Sequence, residues 1–339
     1  MAGKPDFYMM TPRIPKQKPG LSNDFTDLAK YAEQLGYEKL WIIETNDRDG
    51  FSLATQAGLA TKKMKIGTNI VSVFTRTPTL LAMSTVSMNE AIGDRFILGI
   101  GPGGTEMVRD GHGLTFEKPV RRISESVDII RRLVKGERLN YDGQVFKIKN
   151  DFRLRFGIND SKVLIYISAL NPKMLQLAGQ KADGVILSHM PVEAAEDVKA
   201  ELEKGAAKAG RSASEIEICV NLPVGVNFPE GISNLRKAVA WHLAAPTYDW
   251  LISHTPYAKT ISEMRNLWWT ARERDRGSDL MTDDILLTFG LGYKDADIKR
   301  GVKKYVDAGV TPVVDFHGIR KDGHEKEDIM SIAKCAISS

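Results

Sequence analysis

The chain has 339 residues, 42% hydrophobic and 27% charged, a composition that supports a large buried core. Its net charge of +4 is spread over short runs such as Lys62 with Lys63 and Arg131 with Arg132, which gives no basic face for nucleic acid. Two cysteines, Cys219 and Cys335, exclude a disulfide framework and point to a reducing, cytoplasmic setting. No stretch nears the ~18 apolar residues of a membrane span, and residues 1–16 lack the apolar core of a secretory signal.

Along the chain, short apolar and often β-branched runs alternate with segments of helical period. Strands are predicted at 6–10, 39–43, 65–71, 95–101, 163–168, 184–187, 216–220 and 311–315. Helices are predicted at 24–35, 52–61, 78–92, 121–133, 172–180, 192–209, 233–244 and 295–308. Eight strands with intervening helices is the count of an α/β fold of the (β/α)8 TIM barrel type, which a last helix near 325–336 would close. An open, doubly wound sheet is the competing architecture.

Boundary residues agree with these elements. Ser22, Asn23 and Asp24 supply caps for the first helix, and Gly36 suits the position after it. Pro78 and Pro172 stand in first turns, where a missing N–H costs little. Gly309 ends the helix before the last strand. Two stretches exceed a minimal barrel and are expected to form lids or contact surfaces. The insertion near 136–160 carries the hairpin-like run 140–146; that near 245–291 is helical and holds Trp250, Trp268 and Trp269. With no linker or low-complexity segment, residues 1–339 read as a single domain.

In such a barrel the reacting groups sit at the C-terminal ends of the strands. The positions selected are Met9, Met10 and Thr11; Glu44, Thr45 and Asn46; 69–72; 101–104; 168–171; Ser188 and His189; Asn221; and Asp315, Phe316 and His317. Glu44 follows four apolar residues, so its carboxylate either faces the mouth as a proton or ring N–H acceptor or forms a structural salt bridge. The run from Gly99 to Gly104 has the glycines of a dinucleotide fingerprint but no clean helix after it; it reads equally as a tight turn or a ligand contact. Ser168, Ala169, Leu170 and Asn171 lead into a helix whose start could hold a phosphate or simply be capped. His189 and His317 could protonate a substrate, bind phosphate, or serve as caps. No His, Cys and Asp cluster has zinc spacing and no G-x-S-x-G elbow occurs, so no metal is expected.

The segments GTNIVSVFTRTP (67–78) and DRFILGIGPG (94–103) resemble the third and fourth strands of luciferase-like oxidoreductases. EKPV (117–120), IYISA (165–169), NPKML (171–175), ADG (182–184) and AGVT (308–311) continue the resemblance in order over essentially the whole chain. Within that superfamily the chain looks most like the methylenetetrahydromethanopterin reductases, which use the deazaflavin coenzyme F420. The resemblance implies hydride transfer to or from a small organic substrate. It also implies a non-prolyl cis peptide at Asn69–Ile70 that supports a bent cofactor ring, with Val71 and Gly101 alongside. A ring-contacting acidic residue falls at Glu44. Phosphate and lactyl contacts fall at Ser168, Ala169, Leu170 and Asn171 and around Ser188 and His189. The chain departs from the reductases at Met9 and Gly104, where they carry acidic residues, and at Asn69, where they carry glycine, so the resemblance supports barrel and cofactor further than the pterin substrate. The alternatives are an FMN-dependent monooxygenase and a non-catalytic cofactor-binding relative. Leu80, Leu81, Met83, Val86 and Met88 give the third helix more apolar surface than one face needs, which predicts a two-fold homodimer.

Overall fold

The computed structural model describes residues 4–9, 22–46, 48–155, 163–320 and 324–338. Met10 and Thr11, singled out above, lie outside these residues, as do the side chains of Met9 and of the predicted caps Ser22, Asn23 and Asp24 and the end of the first insertion. Eight strands follow one another: β1 (Asp6–Met9), β2 (Lys39–Ile42), β3 (Lys65–Thr68), β4 (Phe96–Gly101), β5 (Leu164–Ser168), β6 (Gly184–Ser188), β7 (Glu217–Gly225) and β8 (Thr311–Gly318). Each pairs in parallel with the next, and β8 pairs with β1, so the sheet closes and the open doubly wound alternative is excluded.

The surrounding helices are α1 (Ser22–Leu35), α2 (Gly50–Ala60), α3 (Pro78–Ile92), α4 (Pro119–Val134), α5 (Pro172–Lys181) and α6 (Ala195–Lys208), then α8 (Asp295–Asp307) and α9 (Glu325–Ile337). Their ends follow local chemistry. The Thr77 hydroxyl accepts the Leu80 N–H ahead of Pro78, and Asp49 accepts the Ser52 N–H at 2.7 Å. In the first insertion, strands Leu139–Asp142 and Lys147–Phe152 form the expected hairpin. Glu125 of α4 ties down its turn by accepting the N–H groups of Gln144, Val145 and Phe146.

Alternation along the strands makes two cores. The outer one lies between sheet and helices. The inner one is filled by Tyr8, Trp41, Ile97, Tyr166, Ile186, Cys219 and Val313, each from a different strand. β3 contributes Gly67 instead, because the Trp41 ring occupies that space: a Cβ on Gly67 would lie 2.4 Å from it. At the N-terminal end of the lumen, Lys39 Nζ stands 3.4 Å from Asp6 and 2.6 Å from Glu217. Asp6 also accepts the Trp41 indole N–H. Burial pushes the Asp6 carboxyl up to about 7 although Lys39 opposes it. Asp6, Glu217 and Cys219 are close enough together to hold a cation, but the Lys39 ammonium already supplies that charge.

Several predicted elements differ from the observed ones: the third strand breaks after Thr68, β8 runs on to Gly318, and two further differences shape the rim. β7 continues five residues past the predicted end at 220, through Asn221 and Pro223. Asn221 is held by a partner across the barrel, and proline lacks only a donor. The predicted helix 233–244 corresponds to α7 (Pro229–Leu243), which lies on the ends of β7 and β8 instead of joining the ring. Asn234 donates to the Ile319 carbonyl just past β8, and His242 packs on His189 just past β6. The second insertion therefore begins directly after β7, earlier than 245; apolar period marks a packed face without saying what it packs on. No helix among the described residues is long and apolar enough to cross a membrane.

Candidate functional site

The C-terminal rim is organised around an interruption of the third strand. Where β3 ends, the Thr68 hydroxyl donates to the Gly99 carbonyl at 2.8 Å and accepts the Gly99 N–H at 3.0 Å, so a side chain replaces the ladder. The next peptide, Asn69–Ile70, is cis, at the bond the resemblance indicates. Pairing with β4 resumes at Val71 and Ser72. Asn69 exchanges reciprocal amide hydrogen bonds of 2.8 and 3.1 Å with Asn221 across the lumen, and the Tyr8 hydroxyl donates to the Asn69 carbonyl at 3.4 Å. A buried amide pair satisfied on both sides fixes the bulge in one geometry.

Ile70 packs on the inner core and forms a partly exposed apolar shelf at the mouth. Gly101 lets Ser168 and Ile70 close over β4: a Cβ there would lie 2.2 Å from Ser168 Oγ and 3.1 Å from the Ile70 side chain. The glycine run thus serves strand packing at this position. The Val71 side chain is fully buried in the outer core, away from the lumen.

The remaining predicted residues take these places. Glu44 has both carboxylate oxygens engaged, Oε1 by Arg76 and Oε2 by the Gly50 N–H at 2.9 Å. Asn171 caps α5 by accepting the Met174 N–H at 3.2 Å, while Ala169 N–H donates to the Ile186 carbonyl and Leu170 packs against the outer core. Ser188 Oγ contacts His189 Nδ1 at 2.8 Å. His189 does not open onto the mouth: it is wholly buried, with ring centroids 4.1 Å from His242 and 5.8 Å from Tyr248. A histidine in the left-handed region, φ 54°, turns its side chain under α7 instead of upward.

The structure also brings the strand-end residues Asp315 and His317 together with groups not singled out from sequence. Asp315 projects inward from β8 in line with Val313, and His317, where the β7–β8 register shifts, has its Nε2 3.0 Å from Asp315 Oδ2. The edge of the His317 ring meets His242, centroids 5.4 Å apart. Burial lowers His242 to about 4, with His317 adding to the effect, and lowers His189 well below the ordinary histidine value, helped by both other histidines. Burial raises Tyr8 well above an ordinary tyrosine, reinforced by Asp315 and Tyr248, and raises Tyr248 to about 12. Asp315 Oδ1 and His189 Nε2 are buried without a protein partner. Tyr8 was not singled out from sequence, although strand alternation carries its signal, whereas Asp315 and His317 were selected above as strand-end residues. Arg76, His242 and Tyr248 carried no comparable signal.

The luciferase-like monooxygenase family profile matches residues 9–312. The 5,10-methylenetetrahydromethanopterin reductase of Archaeoglobus fulgidus is 30% identical over 90% of this chain and 92% of its own length. The enzyme of the same name from Methanolobus tindarius is 31% identical over 84% of this chain and 87% of its own. Among solved structures, a coenzyme F420-dependent tetrahydromethanopterin reductase from Methanopyrus kandleri superposes with a TM-score of 0.80 at 23% identity, covering 99% of this chain and 98% of that one.

Proposed function

The chain belongs to the luciferase-like monooxygenase family, and from that premise we propose that it is an oxidoreductase that uses coenzyme F420 to transfer hydride to or from a small organic substrate. The observation that carries this reading is the braced bulge. The cis Asn69–Ile70 segment is held by Asn221, Tyr8 and Thr68, and it presents Ile70 as an apolar shelf to the open end of the lumen. A flat, redox-active ring fits such a place, because it needs one rigid apolar wall and a few convergent polar groups. The partnerless buried Asp315 Oδ1 supports a polar ligand at the same end of the barrel.

When bound, the deazaflavin supplies a hydride-carrying carbon. The protein's contribution is orientation and exclusion of water. Asn69, Ile70 and the backbone at Val71 and Gly101 would support the ring; Glu44 would act on it through Arg76. Ser168, Ala169, Leu170 and Asn171, with Ser188, would hold the phosphate-bearing tail, and His189 would brace Ser188 from below. We assign the chain to the cytoplasm, as a single domain that pairs with a second copy through α2 and α3.

Titration of the purified protein with coenzyme F420 and with FMN tests the reading. The deazaflavin is expected to bind at least ~10-fold tighter, a difference of about 1.4 kcal/mol. Ile70→Lys is expected to weaken its binding by roughly 100-fold or more, since it buries a charge against the ring, with helical circular dichroism intact. Tighter binding of FMN, or normal affinity in the Ile70 variant, overturns it.

A further inference from the structure

We propose that His317, oriented by Asp315, exchanges the proton that accompanies hydride transfer, so that the substrate is a carbonyl or an imine, or the alcohol or amine formed from one. This rests on the deazaflavin reading above and assigns the proton-transfer half of the same reaction. Register places the pair. Tyr8 is the partner of Asp315 across the β1–β8 pairing, and its hydroxyl reaches the Asn69 carbonyl, so Asp315 lies level with the bulge. His317 lies two residues further along β8, where the β7–β8 register shifts, and its Nε2 reaches back to Asp315 Oδ2 at 3.0 Å. Its side chain keeps 15% exposure against 3% for Asp315, so the imidazole stands between a buried carboxylate and the mouth. Asp315 holds Nε2, which directs the opposite ring edge, carrying Nδ1, away from the carboxylate.

The groups packed around the pair favour a proton on His317 over its neighbours. His242 faces it from α7, and His189 lies behind His242 at the end of β6. Both are kept neutral by burial and by their neighbours. Tyr8 from β1 and Tyr248 from the insertion hold their protons far above neutrality. Glu44 is committed to Arg76 and Gly50. Burial alone would lower His317, but Asp315 outweighs it and the net shift is upward. Among the described residues at this rim, His317 thus combines partial exposure with a proton affinity raised by its carboxylate.

The balance is complete without a further reactant. In the reducing direction the substrate carbon takes the hydride and its heteroatom takes a proton from His317; the C=O or C=N π bond becomes a C–H and an O–H or N–H bond. The proton that the cofactor would give up on losing its hydride would restore His317. The oxidising direction reverses each step.

Three measurements test this. In the cofactor-free protein, the His317 imidazole followed by NMR is expected to titrate above the ordinary value of ~6.5, and Asp315→Asn is expected to bring it below. Coenzyme F420 affinity, read by fluorescence, is expected to stay within about 3-fold in His317→Gln, a change under ~0.7 kcal/mol. With reduced coenzyme F420 and a simple ketone and a cyclic imine as probes, His317→Gln is expected to lower kcat about 100-fold or more with little change in KM. The wild-type rate should fall as pH rises through the His317 titration, and that dependence should vanish in the variant. A His317 that titrates below ~6.5 in the wild type, a variant with wild-type kcat, or turnover of neither probe overturns the proposal. Failure of the wild type to bind coenzyme F420 overturns the cofactor reading instead, leaving the NMR result to stand by itself.

Discussion

Arg76 is gripped from two sides, by Glu44 and by Asp49, and its guanidinium lies 5.3 Å from the Phe51 ring centroid. This ties the loop after β2 to the segment before α3, next to the bulge. Removing one charge from a partly buried pair leaves the other with an unmet desolvation cost. Glu44→Gln is therefore expected to lower stability by ~1–3 kcal/mol in denaturant unfolding. Arg76→Gln is expected to cost less in the Glu44→Gln background than by itself, because the two residues are coupled; fully additive losses would show that the pair is not coupled. The carboxylate was legible in the sequence as a polar residue ending an apolar strand. Its partner, 32 residues away, was not, because an ion pair leaves no trace in local periodicity. His189 shows the same limit. Strand position marked the residue, while its burial depends on α7 and Tyr248, far along the chain.

At the scale of elements, the eight strands were readable because a strand buried on both faces is a continuous apolar run. The function of α7 was not. An amphipathic helix declares that it covers something, and here it covers the rim between β8 and β6 with His242 at its far end. That placement has a consequence for acid stability. His242, at about 4, and His189, also lowered by burial, both sit below the ~6.5 of an unfolded histidine. As pH falls below about 6.5 the unfolded chain takes up protons that the folded chain refuses, so stability declines through that window toward about 4. His317 contributes in the opposite sense, with stability present at low pH and lost as pH rises through its raised value. His242→Gln is expected to shrink the drop in Tm between neutral pH and pH ~5. An undiminished drop would mean that His242 is not held neutral in the folded protein.

For the whole molecule, barrel closure was implicit in the count of strands, but the surface proposed to meet another subunit was only partly visible. Leu81, Val86 and Met88 of α3 turn out to be buried, which reduces the apolar excess to Leu80 and Met83, 46% and 49% exposed, with Leu59 of α2 at 67%. Such a patch on adjoining helices suits a two-fold interface, in which it meets its own copy. Sedimentation at micromolar concentration should give a dimer that Met83→Glu dissociates; a wild-type monomer would remove the interface. The central claim, hydride chemistry at the braced end of the barrel, is tested most directly by isotope transfer. Reduced coenzyme F420 deuterated at its hydride-carrying carbon is mixed with the protein and a carbonyl or imine acceptor, and label in the product and oxygen uptake are measured together. Deuterium on the product carbon with no oxygen consumed is the predicted result; oxygen consumption with the label lost to solvent would contradict it.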